Sequence, residues 1–426
     1  MEKRLVRYTT IFTCLFSVFA CVAVWFLPAL ERSVEDFAQG MIRERREREE
    51  RYALLEQMTA LEILDYNTKQ VQAQARIEQE QARKEQEEKA QAENANQAES
   101  KNPKNPKNPE NPNESEDSNA SQEPEKLPEV ALQVMTHQMQ LELPKGTDGS
   151  QVQVIQDYMN RQIRIGIPRA DDKYLYDYQM IGESEKIESM DYTSSGGNGM
   201  LSLTMKNIVE AQTSSDENYL YLDFKSPKEL YDRIIVVDAG HGGSDPGAVS
   251  AQYYEKHMTL AVVQKIKELF DRSGDRTIGV YYTRLDDSDP SLSGRVALAN
   301  NLDADLFVSI HINSVNGDAS VQGIEVMYDE LAADTAFDTQ DFAQICLDET
   351  TKATGAVKRH LVNGHQIHII RNSRAPAALI ELGFINNPME LANLIDPSYQ
   401  QKAAEGVYHA LVRSLKRIER IEKNQT

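Results

Sequence analysis

The sequence predicts a multidomain chain that ends in an α/β domain, and two patterns near the C-terminus support this fold class. Residues 234–237, 306–310 and 377–380 form continuous apolar runs, which are typical of strands buried on both faces. Amphipathic helical segments separate these runs, and Gly274 is expected to end the first of them. Strands that alternate with helices indicate a central sheet with helices packed against it.

Composition sets limits on the rest of the chain. At roughly 100–200 residues per domain, 426 residues allow two or three domains with accessory segments. The net charge of −21 argues against a nucleic acid partner, because there is no basic surplus to neutralise phosphates. Cys346 is the only cysteine outside an N-terminal apolar run, and we expect it to pack as a small core residue.

An apolar segment near the N-terminus predicts a membrane anchor. Residues 8–30 carry no charge, and about 20 apolar residues suffice to cross a bilayer as a helix. Basic residues precede this run and acidic residues follow it, which places the N-terminus in the cytoplasm. We therefore expect residues 1–30 to form a transmembrane helix, with the rest of the chain on the extracytoplasmic, cell-wall side. A cleaved signal peptide and a lipoprotein signal at Cys21 are the alternatives.

Two polar segments follow the predicted anchor. Residues 31–100 are rich in Glu, Arg, Gln, Lys and Ala, which favour helix, and predict a charged helical stalk. Leu54, Met58 and Leu61 form one short apolar stripe, so the alternative is a short coiled coil through which the chain self-associates. Residues 101–128 repeat Lys-Asn-Pro and stay rich in Asn, Glu and Ser, which predicts a disordered linker.

Residues 129–228 regain apolar alternation and predict a small β-rich domain. The candidate strands span residues 164–167, 174–176, 201–205 and 219–224. A glycine-rich stretch at residues 194–199 predicts a tight turn between two of them.

The final domain, residues 229–426, contains a candidate metal site. His241, His311 and Glu381 each follow one of the three buried runs, and ligands of open α/β sheets bind beyond the carboxyl ends of strands. Glu255 precedes the helix after the first run. Two histidines and one carboxylate suit catalytic Zn²⁺, and a second carboxylate can act as a general base. A single histidine at a strand end is more often structural, so the metal hypothesis depends on the combination.

Several sequence blocks resemble the zinc-dependent N-acetylmuramoyl-L-alanine amidases of the Amidase_3 family. The matching blocks are residues 237–243, 245–248, 255–256, 283–284, 295–300, 309–314 and 376–388. The resemblance implies a mixed central sheet, a Zn²⁺ cofactor with His241, Glu255 and His311 as ligands, and Glu381 as the catalytic residue. Ala239 and Ile312 depart from the residues usual in the family, without removing a ligand.

The resemblance also implies a function. The expected reaction is hydrolysis of the amide bond between N-acetylmuramic acid and L-alanine in peptidoglycan, for cell-wall remodelling or daughter-cell separation. The β-rich domain is similar in size and position to the AMIN-type domains that hold amidases to envelope polymers; a spacer without a ligand is the alternative. Two further hypotheses are a zinc hydrolase acting on another wall bond and a membrane-tethered wall-binding or scaffold protein with weak or no hydrolase activity.

Overall fold

The computed structural model describes residues 39–99, 136–315, 317–332 and 337–425. The predicted anchor at residues 1–30 and the predicted linker at residues 101–128 lie outside these ranges. No helix within the described ranges combines the length and the apolar character needed to cross a membrane.

Two antiparallel sheets form the β-rich domain. Its elements are β1 (Met139–Glu142), a 3₁₀ turn (Gly149–Gln151), β2 (Gln153–Asp157), β3 (Gln162–Pro168), α1 (Tyr174–Asp177), β4 (Met180–Gly182), β5 (Ile187–Ser195), β6 (Asn198–Met205), β7 (Glu210–Ser215), β8 (Tyr219–Lys225) and α2 (Pro227–Leu230). The strand orders are β4-β1-β8-β7 and β2-β3-β6-β5. Alternate residues of β3, β6 and β8 are buried, as the period-two pattern of their sequences requires.

The sequence-based strands of this domain are confirmed except at residues 174–176. Gly196 and Gly197 form the predicted turn between β5 and β6, with φ angles of 59° and 75°. The prediction at residues 174–176 is wrong, because these residues form the short helix α1. Tyr174 and Leu175 are adjacent and both buried, whereas a strand would direct them to opposite faces.

A long helix, α3 (Ala60–Glu99), precedes this domain in the chain and packs against it. Thr59 begins it with a capping box: its hydroxyl accepts from the amide of Glu62, whose carboxylate accepts from the amide of Thr59 at 2.8 Å. Ile63 and Leu64 are buried in the core of the β-rich domain. Within the segment predicted as a stalk, Ala60–Glu99 is helical, but the first turns of this helix pack into the β-rich domain and are not solvated on all sides.

The C-terminal domain contains the predicted mixed sheet. Its strands are β9 (Arg233–Ala239), β10 (Val249–Ser250), β11 (Tyr253–Tyr254), β12 (Ile278–Tyr282), β13 (Leu306–Asn313), β14 (Ile324–Tyr328), β15 (Lys358–Asn363) and β16 (Ala377–Phe384). The main sheet has the order β12-β9-β13-β16-β14-β15, and only the β14–β16 pair is antiparallel. The three predicted buried runs lie in β9, β13 and β16, which are central strands.

Helices cover both faces of this sheet. They are α4 (Glu255–Ser273), α5 (Leu292–Asn301), α6 (Thr339–Thr354), α7 (His368–Arg371), α8 (Pro388–Leu394) and α9 (Pro397–Gln425). Helices α4, α6 and α9 contribute to one apolar core, and α5 and α7 to the other. Gly274 ends α4 with a φ of 68°, as predicted, and Cys346 is fully buried in the larger core.

The β-rich domain contacts the C-terminal domain at the outer edge of the main sheet. Ile208 joins the core beneath α5, and Tyr158 packs edge-on against Tyr281 with ring centroids 4.9 Å apart. Both tyrosine hydroxyls donate to the carboxylate of Glu210, at 2.9 and 2.5 Å. This interface connects the two domains through both apolar packing and a shared, half-buried acceptor.

Candidate active site

A buried ion pair fixes the backbone at the end of β9. Asp238 is fully buried and accepts hydrogen bonds from Arg295 Nη1 at 2.6 Å and from the hydroxyls of Thr283 and Ser309, both at 2.5 Å. Burial opposes ionisation, but Arg295 and the two hydroxyls outweigh it and lower the pKa of Asp238. Arg295 Nη2 also donates to the carbonyl of His241 at 2.8 Å, so the pair holds the turn that carries this residue.

His241 occupies an unusual backbone conformation in that turn. Its φ of 60° lies in the left-handed region, which non-glycine residues seldom adopt. Nδ1 of His241 lies 2.7 Å from Oδ2 of Asp245, which fixes the ring and directs Nε2 toward Glu255. Gly247 makes room for this arrangement, because a Cβ there would lie 2.5 Å from Oε2 of Glu255 and 2.7 Å from Cδ2 of His241.

Glu255 is the first residue of α4 and lies between the two histidines. Its Oε2 is 3.2 Å from Nε2 of His241, and its Oε1 is 3.0 Å from Nδ1 of His311. The carboxylate also accepts from the backbone amides of Ala248 and Ile312, at 2.7 and 2.9 Å. Burial raises the pKa of Glu255, but hydrogen bonds from both histidines outweigh this effect and lower it well below its usual value.

The three side chains form a cluster that could hold a metal ion. One ligand atom from each of His241, Glu255 and His311 lies within 4.8 Å of the others. Burial lowers the pKa of His241, but hydrogen bonds and charge from Glu255 and Asp245 raise it to about 9. A cation bound between these groups would satisfy the same negative charge. Imidazole nitrogen and carboxylate oxygen are the donors that Zn²⁺ takes in catalytic sites, so the cluster fits this ion.

Glu381 lies beside the cluster on the neighbouring strand. It is directly opposite His311 in the register of β13 and β16, and its side chain is buried. Its Oε2 accepts no hydrogen bond from any described residue. Burial raises the pKa of Glu381 to about 7, assisted by the nearby charges of Glu255 and Glu325 and opposed by the two histidines.

Comparison with known proteins identifies the family. The sequence profile of Amidase_3, described as N-acetylmuramoyl-L-alanine amidase, matches residues 235–413. The germination-specific N-acetylmuramoyl-L-alanine amidase of Bacillus subtilis (strain 168) is 31% identical over 198 residues, which are 43% of this chain and 80% of that protein. The uncharacterized protein YqiI of the same organism is 35% identical over 184 residues, 42% of this chain and 83% of that protein.

This chain belongs to the Amidase_3 family. Among solved structures, the catalytic domain of CwlV, an N-acetylmuramoyl-L-alanine amidase from Bacillus (Paenibacillus) polymyxa var. colistinus, is 35% identical, with a TM-score of 0.40. The match covers 43% of this chain and 98% of that one. The family profile and the curated relatives show that the protein is an N-acetylmuramoyl-L-alanine amidase that acts on peptidoglycan in cell-wall remodelling.

The amidase fold brings all four sequence-predicted site residues to one edge of the sheet. His241, Glu255 and His311 converge, and Glu381 lies next to them. Their roles as ligands and catalytic base are a proposal, which is developed below.

Sequence reasoning missed the residues that hold the four site residues in place. Asp245 stands four residues after His241, and Asp238 ends the first buried run, but neither position alone indicates its contact. Thr283 and Arg295 belong to the matched family blocks, and their burial around Asp238 gives a physical reason for those blocks. Glu325, which lies opposite Glu381, carried no signal in the sequence.

Proposed function

We propose that the C-terminal domain hydrolyses the amide bond between the lactyl group of N-acetylmuramic acid and L-alanine with one Zn²⁺ held by His241, Glu255 and His311. The observation that carries this proposal is the convergence of two imidazoles and one carboxylate from the turn after β9, from β13 and from α4. Three protein ligands are typical of catalytic zinc, whereas structural zinc takes four. A bound Zn²⁺ supplies Lewis-acid chemistry, because it polarises a carbonyl group and makes water more acidic.

Glu381 is the proposed general base and general acid. The ligand set uses a different carboxylate, Glu255, and Oε2 of Glu381 has no partner among the described residues. Glu381 therefore retains an acceptor for a proton from the attacking water, and the same carboxyl can return the proton to the departing nitrogen. Its place opposite His311 supports this role, since proton transfer requires hydrogen-bond reach of the reacting group.

Other residues of the chain orient these groups. Asp245 accepts from Nδ1 of His241 and leaves Nε2 as the donor atom for the metal. The Asp238–Arg295 pair holds the carbonyls of Ala239 and His241, and so fixes the turn on which His241 stands. Loss of such supporting contacts lowers metal affinity or activity by about 10- to 100-fold in zinc enzymes.

Metal content tests the ligand set. Zinc binding by the full chain would be compared with that of His241→Ala, Glu255→Gln and His311→Ala, with His409→Ala as the matched control on the exposed face of α9. We expect each ligand variant to lose at least about tenfold in zinc affinity and the control to retain it. Unchanged affinity in His241→Ala would contradict the ligand set.

Activity on isolated peptidoglycan tests the catalytic residue. Glu381→Gln keeps the shape of the side chain but cannot accept the proton, so we expect peptide release to fall by about 10²- to 10⁴-fold. Glu268→Gln, on the exposed face of α4, is the control. Full activity in Glu381→Gln would contradict the assignment, provided that zinc content is unchanged.

We also propose that residues 1–30 anchor the enzyme in the cell membrane with the catalytic domain on the cell-wall side. The uncharged run at residues 8–30 and the charges that flank it support this location. In membrane fractions, the protein is expected to stay with the bilayer after high-salt washing and to be cleaved by protease added outside. Release of a mature protein that begins near residue 30 would contradict the anchor.

The β-rich domain is proposed to be an AMIN-like module that holds the enzyme on peptidoglycan, and the charged helix is proposed to support self-association. The shared Glu210 acceptor supports a fixed orientation of this domain on the amidase. Cosedimentation with wall fragments and analytical ultracentrifugation of the soluble chain test the two proposals separately. Failure to cosediment with wall fragments would contradict the wall-binding role. A monomer at every concentration would contradict self-association.

A further inference from the structure

A second polar cluster lies on the active-site edge of the sheet, next to the catalytic group. Glu325 of β14 is buried, with 7% of its surface exposed. Its Oε1 accepts from Nε of Arg359 at 2.6 Å, and its Oε2 accepts from Nδ2 of Asn313 at 3.2 Å. These three residues belong to three different strands, β13, β14 and β15, so the fold itself assembles the cluster.

The register of the strands makes this cluster continuous with Glu381. Glu325 is directly opposite Glu381 in the antiparallel β14–β16 pair, and opposite residues share one face of a sheet. β15 pairs with β14 on the other side, so Arg359 is two strands from Glu381. At about 4.8 Å between strands this separation is roughly 10 Å, and the contact of Nε with Glu325 brings the guanidinium closer.

Arg359 is held rigidly but is only partly used by the protein. Its guanidinium carbon lies 5.3 Å from the ring centroid of Phe384, its Nε is bound to Glu325, and its Nη1 is 3.4 Å from the carbonyl of Gln322. Within the described residues, Nη2 has no hydrogen-bond partner, and 29% of the side chain is exposed. The ion pair with Glu325 accounts for the N–H group of Nε. It leaves the N–H groups of Nη2 without a role among the described residues.

We propose that Arg359 binds a free carboxylate on the second residue of the stem peptide, an inference that rests on the proposed function. The peptide begins with L-alanine at the scissile amide, and its second residue is D-glutamate or the amidated D-isoglutamine. Each residue extends the chain by at most about 3.6 Å, so the α-carboxylate of residue two lies within reach of a group less than 10 Å from Glu381. A planar guanidinium with a free N–H edge favours a carboxylate, which offers a negative charge and two acceptor oxygens, over a neutral amide, which offers one acceptor oxygen and no charge.

The wild-type full chain provides the first test, without any variant. We would measure kcat and KM on two soluble muramoyl peptides that differ only in D-glutamate or D-isoglutamine at position two. We expect kcat/KM to be roughly 10- to 100-fold higher for the free acid, the usual range for a hydrogen bond to a charged group. Because the contact is made before and during reaction, the difference is expected mainly in KM.

Variants then assign this preference to Arg359. We expect Arg359→Gln to have the same kcat/KM for the free-acid substrate as for the amidated one, because only the kcat/KM for the free acid falls. Arg359→Lys keeps a charge next to Glu325, which protects folding, but lacks the planar fork and is expected to lose part of the preference. Lys358→Gln is the matched control, because its ammonium binds Asp348 at 2.6 Å on the surface.

The possible outcomes separate this proposal from its rivals. Equal losses on both substrates in Arg359→Lys would mean that Arg359 only supports Glu325, and would overturn the subsite. The subsite would also be overturned if the wild-type chain cleaved the free-acid and amidated substrates with equal kcat/KM. A preference that depended on amidation of the third residue of the peptide, and not of the second, would overturn it as well. Cleavage of neither substrate by zinc-loaded wild-type protein would contradict the proposed function itself, and the subsite with it.

Discussion

Asp238 shows how one buried charge supports the candidate active site through the turn that carries His241. Its carboxylate has a cation and two hydroxyls as partners and no exposure to water. Arg295 also donates to the carbonyls of Ala239 and His241, so the pair connects the stability of the sheet to the geometry of the proposed metal site. Breaking a buried pair by removing one partner leaves an uncompensated charge, which makes this site sensitive.

Asp238→Asn is therefore expected to lower the free energy of unfolding by roughly 3–5 kcal/mol, because Arg295 would remain buried without its close counter-ion, and Asp289 is partly exposed and 3.8 Å away. Urea unfolding followed by circular dichroism measures the change. Asp172→Asn, in an exposed position, is the control and should stay within about 0.5 kcal/mol of the wild type. A variant as stable as the control would contradict the account of this pair.

The same pair predicts how stability depends on pH. The pKa of Asp238 is lowered in the folded protein, so its contribution is complete above the unfolded pKa of about 3.9 and is lost as pH falls through the folded pKa. The difference in unfolding free energy between wild type and Asp238→Asn should be constant near neutral pH and shrink below about pH 4. If the difference in unfolding free energy grew as the pH fell, this prediction would be contradicted.

The substitution Gly247→Ala tests whether zinc binding requires the close approach of His241 and Glu255. Gly247→Ala would place a Cβ against Glu255 and His241 at a φ of 65°, so we expect zinc affinity to fall by about tenfold or more. Gly274→Ala shares the left-handed backbone, with a φ of 68°, but its Cβ would meet no atom within 4 Å. It should cost about 1 kcal/mol of stability and leave zinc affinity unchanged. Equal zinc affinity in the two variants would contradict the steric argument.

At the scale of secondary structure, the sequence was most informative where burial is complete. β9, β13 and β16 are predicted by continuous apolar runs, because central parallel strands are apolar on both faces. β14 and β15 are short, and their polar residues interrupt the apolar pattern, so Glu325 and Arg359 could not be assigned to the active-site edge. The role of Glu255 came from family resemblance, since the start of a helix does not by itself indicate a ligand.

The predicted stalk shows a different limit of sequence patterns. The apolar stripe of the predicted stalk included Leu54, but 45% of this residue is exposed, whereas Leu55 and Leu64 are buried in the β-rich core. The side chain of Asn67 donates to the carbonyl of Met180, and Thr68 accepts from the amide of Gly182. Such contacts join residues more than a hundred positions apart, and local periodicity cannot predict them.

Leu64→Ala is expected to destabilise the β-rich domain by about 2–5 kcal/mol, because it removes a fully buried side chain and leaves a cavity. Thermal unfolding of the chain measures the effect, and Leu54→Ala is the exposed control. If the predicted stalk were solvated throughout, the two variants would have equally small effects.

At the scale of the whole molecule, the β-rich domain and the amidase share an interface built around Glu210 and two tyrosines. Burial, together with the charge of Glu210, raises the pKa of Tyr158 and Tyr281 far above the usual value, so both remain hydroxyl donors at any physiological pH. The interface lies along the edge strand β12, while the proposed catalytic residues lie toward the C-terminal ends of the central strands. The contacts around Glu210 therefore use none of the four proposed site residues.

The most direct test of the central claim is the chemical identity of what the zinc-loaded full chain releases from isolated peptidoglycan. The account predicts peptides whose new N-terminus is L-alanine, together with glycan strands that carry a free lactyl carboxyl group, as mass spectrometry would show. Both products should disappear with a chelator and in Glu381→Gln. Peptides with any other new terminus, or undiminished release in Glu381→Gln, would contradict it.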